Sequence, residues 1–202
     1  MRARMKELLF AITLLTISCA QQKVVLKEQN LIPYEDFSKV TILNEATMPI
    51  KLSALVDQRN VAEVGQARTG AQFKKTPVEF KYNFSEYFKD YLRNSLSRRN
   101  VLMVMTDEKA VMSIVVKEFW TKEVLERFKP ERASCKIAID VKVVKEDDSY
   151  SGSFWTEVKS PGDMGDATEK LAPTIASCMN IIVEKIVNDK NLLEFIKSKP
   201  LI

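Results

Sequence analysis

The chain has 202 residues, 46% of them apolar, 29% charged, with a formal charge of +4. That is enough apolar material for a packed domain and argues against a disordered chain or a nucleic-acid binder. Histidine is absent, which excludes Ser-His-Asp and Cys-His catalysis and any histidine metal site.

In chain order, Arg2, Arg4 and Lys6 precede an uncharged run from Leu8 to Ile17. About ten apolar residues are too few to cross a bilayer, which takes roughly 20; a basic start, a short apolar run and a small residue form a secretory signal. Leu15-Thr16-Ile17-Ser18-Cys19 resembles the lipobox of bacterial lipoproteins, with the leucine one place earlier than is usual. The resemblance implies cleavage after Ser18, lipidation of Cys19 and a membrane anchor. Ala20, where retention at the inner membrane would call for aspartate, implies export to the outer membrane, with the domain facing the periplasm. One acyl chain binds marginally and two or more hold firmly, so a soluble domain can be tethered in this way. The rest of the chain is nearly neutral, with 28 basic and 26 acidic side chains.

Residues 1–18 are thus a signal peptide, 19–38 a polar tether, and 39–202 a single domain. IKLSALVDQR (50–59) is a strand running into a loop, and 60–76 is a long loop. Its Gly65 and Gly70 have phosphate-loop spacing, but Ala71 and Gln72 stand where lysine and a hydroxyl belong. VEFKY (78–82) is a short strand. Asn83 and Glu86 open a helix as a capping box; Phe84, Phe88, Tyr91, Leu92 and Leu96 form its apolar stripe, and Arg98, Arg99 and Asn100 close it. Residues 101–106 and 110–124 are strands, the second with Met112, Ile114 and Val116 on one face. In 134–144, Cys135, Ile137, Ile139, Val141 and Val143 alternate; KEDDSYSG turns the chain into a partner strand at 151–160. A helix then runs to about Asn188, striped by Leu171, Ile175, Cys178, Ile182 and Ile186, with Pro173 a kink or a first turn. A short amphipathic helix follows from 191. The order implies an α+β, two-layer fold: a largely antiparallel sheet with two main helices on one face.

LVDQR (55–59), EVG (63–65), the helix FSEYFKDYLRNSLSRRN and the strand VLMVM resemble the YajG-like family of uncharacterised bacterial lipoproteins. Asn100 stands where that family has glycine, a mild change at a left-handed helix end. The resemblance implies a membrane-tethered, non-enzymatic domain and supplies no catalytic residues.

The residues themselves support a binding role, with no cofactor and no metal. The partner surface is expected at Val64, Arg68, Phe73 and Lys74 in the long loop and at Trp155, which is out of phase with Phe154 and Val158. Asp57 and Arg59 form an ion pair or turn cap, or a binding pair. Glu146, Asp147 and Asp148 make a solvated turn or a hard-cation site. Trp120 is an edge residue or a contact. Arg98, Arg99 and Lys89 line a solvated helix face or meet lipid phosphates. Cys135 and Cys178 face the same core, either as free thiols or as a disulfide. The partners are the membrane, through the lipid anchor, and an envelope protein. A lipid-transport accessory with an apolar groove is the alternative, and a carboxylate-only hydrolase a third class.

Overall fold

In the computed structural model, the described residues are 23–27, 42–44, 47–59, 61–69, 74–81, 83–106, 108–124, 132–161 and 167–197. The signal region, Cys19 and Phe73 lie outside them.

The strands are β1 (Val24–Leu26), β2 (Ile50–Asp57), β3 (Gly65–Thr69), β4 (Lys74–Phe80), β5 (Met103–Val104), β6 (Ala110–Val124), β7 (Arg132–Lys145) and β8 (Asp148–Pro161). The helices are α1 (Phe84–Arg98), α2 (Ala167–Val187) and α3 (Lys190–Ile196). The described strands form one eight-stranded sheet.

The expected antiparallel pairing accounts for most of the sheet, but the sheet is mixed rather than purely antiparallel. β6, β7 and β8 form an antiparallel ribbon and β3–β4 an antiparallel hairpin, but β1–β4, β2–β5, β2–β6 and β3–β6 are parallel. Two neighbours share the other edge of β6. β2 pairs along Ala110–Val116, and β3 takes over at Thr121 and Lys122.

Three segments differ from the expected ones. The long loop at 60–76 contains β3 and the start of β4. The tether contributes β1, whose Leu26 is buried in the core. The strand at 101–106 shrinks to Met103–Val104, with Met105 exposed.

Alternation places Met112, Ile114 and Val116 of β6 and Cys135, Ile137, Ile139, Val141 and Val143 of β7 in the core. A bulge between Val116 and Glu118 then shifts the phase, so Phe119 and Thr121 turn inward. Phe84, Phe88, Leu92 and Leu96 of α1 and Leu171, Ile175, Cys178, Ile182 and Ile186 of α2 join the same core. Asn83 caps α1, its side chain accepting the Ser85 N–H at 2.9 Å rather than that of Glu86. Asn100 ends the helix at φ 68°, the left-handed geometry that asparagine tolerates. Its amide donates to the Leu43 carbonyl at 3.1 Å. Pro173 lies inside α2, so it is not a first-turn residue. Arg99, expected on a solvated face, is buried and donates to the Ser95 carbonyl.

Candidate functional site: the open sheet face and the β3–β4 end

The sheet face opposite the core is open to solvent along β8, where Ser149, Ser151, Ser153, Trp155, Glu157 and Lys159 are all exposed. Trp155 is 62% exposed. It pairs with Ala138, and one step away Trp120 pairs with Lys136. A hollow of about 430 Å³ lies between Glu118, Lys136, Ala138, Asp140, Ser153 and Trp155. Lys136 bridges to Glu118 at 2.7 Å, and Lys117 to Asp140 at 3.3 Å. The Glu118 hydrogen bond and charge hold the Lys136 ammonium above its usual range. On the edge of β8, Lys185 donates to the Trp155 carbonyl at 2.6 Å and lies 5.3 Å from its ring centre. That contact covers part of a strand edge that has no strand partner among the described residues.

The other expected contact residues divide. Val64, expected on the partner surface, is fully buried; its N–H donates to Val78 and its carbonyl accepts from Thr121, both at 2.8 Å. Val64 therefore belongs to the sheet, not to a loop surface. Arg68 and Lys74 are exposed. Arg68 pairs with Lys75, and Gln66 faces Pro77 on one side and Lys122 on the other. Gln66, Arg68, Lys75 and Lys122 border a second hollow of about 240 Å³. Two strands, β6 and β7, separate β3 from β8, roughly 14 Å at 4.8 Å per strand. The exposed residues among those expected therefore lie in two separate places, Trp155 on β8 and Arg68 and Lys74 at the β3–β4 end. Sequence reasoning missed Lys75 and Lys122, because only cross-strand register brings them beside Arg68.

The Asp57–Arg59 motif is an internal clamp. Arg59 donates to Asp57 through Nε at 2.8 Å and Nη2 at 2.5 Å, and its Nη1 reaches the carbonyls of Glu63 and Phe119, both at 3.2 Å. The guanidinium lies over the rings of Phe84 and Phe119, at 4.9 and 5.6 Å, and the side chain is 5% exposed. Burial pushes the Asp57 carboxyl up, but the Arg59 hydrogen bonds and charge outweigh it and the net shift is downward. The Val64-Gly65 pair has an equally internal reason: a Cβ on Gly65 would stand 1.9 Å from the Thr121 carbonyl oxygen.

Cys135 and Cys178 are free thiols in the core, and the Cys178 thiol donates to the Cys135 carbonyl at 3.2 Å. Burial, with the Cys178 contact, pushes the Cys135 thiol well up. Glu146, Asp147 and Asp148 form the exposed β7–β8 turn, where Asp148 accepts the Ser149 N–H. No metal-holding cluster occurs among the described residues, and no described helix is long and apolar enough to cross a membrane.

The fold is similar to that of the crystal structure of protein XCC0632 from Xanthomonas campestris. The TM-score is 0.54 at 10% identity, covering 81% of this chain and 92% of that one. Two further similar structures are the hypothetical protein CT253 from Chlamydia trachomatis (TM-score 0.45, 10% identity, 70% and 94% covered) and the rare lipoprotein B from Shewanella oneidensis (0.38, 10%, 71% and 98%). No curated protein matches the chain. The Lipoprotein_16 family model, described as uncharacterized lipoprotein, matches residues 39–197. The match includes the clamp and the buried Val-Gly pair, and the chain belongs to this family of uncharacterized lipoproteins.

Proposed function

We propose that the protein is a non-enzymatic lipoprotein, anchored through Cys19 at the periplasmic side of the outer membrane, that binds an envelope protein through the open sheet face around Trp155. The observation that carries this reading is Trp155 itself, a large aromatic 62% exposed beside a hollow edged by paired charges. Aromatic residues of this kind dominate the binding energy of protein interfaces. The interior between helices and sheet is filled by Phe84, Phe88, Phe119, Cys178 and Ile182, which favours a protein contact over an apolar carrier groove.

Two experiments test it. Cys19→Ala leaves an unlipidated precursor; a variant that still behaves as mature protein resistant to carbonate washing overturns the anchor. A photo-crosslinking amino acid at position 155 captures one defined envelope protein, whereas the same probe at Ser149, nearer the β7–β8 turn, does not. Equal or no capture at both positions removes the assignment of the face.

A further inference from the structure

This inference rests on the Cys19 anchor and concerns where the domain sits relative to its membrane. β1 runs parallel to β4, with Val24 opposite Val78 and Leu26 opposite Phe80. The chain therefore enters the sheet from the end where β4 begins. At that same end β3 finishes, β6 finishes and β7 starts, since Thr69 faces Lys74 and Val124 faces Arg132. Only four residue steps separate Cys19 from Lys23, a reach of at most about 14 Å at 3.3–3.6 Å per residue. A docked β1 thus replaces a long tether with a short leash.

The end that faces the leash is cationic. Arg68, Lys74, Lys75 and Lys122 are all exposed there, and none of their side chains forms an ion pair among the described residues. The acid in their midst is already engaged: Glu123, 5% exposed, meets Lys170 at 3.7 Å and accepts the Arg68 N–H. Lys75 lies three residues before Val78, about 10 Å beyond Val24 on the side from which the chain enters. The opposite end of the ribbon carries the acidic turn Glu146-Asp147-Asp148, on the order of 44 Å away along a strand rising 3.4 Å per residue.

We propose that Arg68, Lys74, Lys75 and Lys122 rest against the anionic phospholipid headgroups of the bilayer that holds Cys19, so that the domain stands end-on with its acidic turn outermost. Such cations act only within about a Debye length, 8–10 Å at ordinary salt, and the leash keeps them in that range. Each Lys or Arg near an anionic surface contributes about a fivefold preference.

The test uses full-length lipidated protein reconstituted into vesicles, either phosphatidylethanolamine with one quarter phosphatidylglycerol, or phosphatidylcholine alone. Lysine acetylation is read by mass spectrometry, with Lys145 and Lys190 at the far end as internal references. At low salt, Lys74, Lys75 and Lys122 should label about fivefold more slowly in the anionic vesicles than in phosphatidylcholine, and 0.5 M salt, on the order of ten times the low-salt buffer, should erase the difference. In an R68E/K75E/K122E variant with an unchanged melting curve, Lys74 should label equally in both. Flotation with both vesicles but equal lysine labelling overturns the inference and leaves the anchor standing. Failure to float with either overturns the anchor and this inference with it. Protection by inorganic phosphate in phosphatidylcholine assigns the hollow to a soluble anion and likewise overturns the membrane contact.

Discussion

The β6–β7–β8 ribbon and the β3–β4 hairpin belong to one sheet but are held in different ways. The ribbon is long and largely locally encoded: its strands alternate, the β7–β8 turn is tight, and apart from the bulge between Val116 and Glu118 each residue's partner follows from the one before. The hairpin strands are short, five and seven residues, and their place depends on two tertiary contacts. Gly65 lets β3 approach the Thr121 backbone, and Arg59 fastens the connection below it to Asp57 and Phe119. A region specified by many weak local preferences tolerates change widely, whereas one specified by two close contacts fails when either is lost.

The strongest break is Gly65→Ala. Its Cβ would meet the Thr121 carbonyl group, which cannot step aside, as well as that residue's branched side chain, so we expect a loss of about 3 kcal/mol or more by urea denaturation. Hydrogen exchange should rise in β3 and β4 while β7 stays protected. Equal loss of protection in both regions would show that hairpin and ribbon are one cooperative unit.

Arg59→Met comes next. It leaves the Asp57 carboxylate without its partner, but that group is 22% exposed. The expected loss is about 2–3 kcal/mol, below the 3–5 of a fully buried pair. The pH dependence carries the sign. Asp57 has a depressed folded pKa, so its stabilisation is present above the unfolded value of 3.8 and is lost as pH falls through the folded one. Asp57→Asn should flatten that acid limb; an unchanged acid limb would remove the clamp from the account.

The alkaline limb tests the ribbon. Burial and the Asp189 hydrogen bond, at 3.1 Å, push Tyr150 up to about 12, and burial raises Cys135. Raised folded pKa values give stability that is complete below the unfolded values, near 9.0 and 10.0, and lost as pH climbs toward the folded ones. Urea midpoints should hold from neutrality to about pH 8.5 and then fall; Cys135→Ala with Tyr150→Phe should weaken the fall. The two thiols should both alkylate in denatured, unreduced protein, and a single bridged mass would replace the free pair with a disulfide.

The smallest effect belongs to the ribbon's own turn. Glu146 has φ 51°, a left-handed geometry that costs a non-glycine residue roughly 1–2 kcal/mol. Glu146→Gly should raise stability by about 1 kcal/mol or less once glycine's greater unfolded-state freedom is subtracted. A loss instead would mean that the glutamate makes a contact worth more than the strain.

Local order settled much of this molecule. Apolar periodicity identified α1, the ribbon strands, the stripe of α2 and the inward stations of Cys135 and Cys178; an asparagine after two arginines marked the left-handed end of α1. These properties depend on neighbours a few residues apart, which a sequence displays directly. Beyond the β7–β8 hairpin, tertiary structure alone decided which strands lie side by side. Alternation says which residues face the core but not which strand lies beside it, so the parallel pairings, the recruitment of β1 and the handover on β6 were not legible. The bulge after Val116 reversed the phase without a local signal. A long loop dissolved into a hairpin because β6 supplied the partner that β3 lacks by itself, and this buried Val64. The cationic end has the same origin: Arg68 and Lys75 meet across the β3–β4 hairpin, and Lys122, far away in the chain, joins them only through cross-strand register, information that resides in the pairing and not in any one segment.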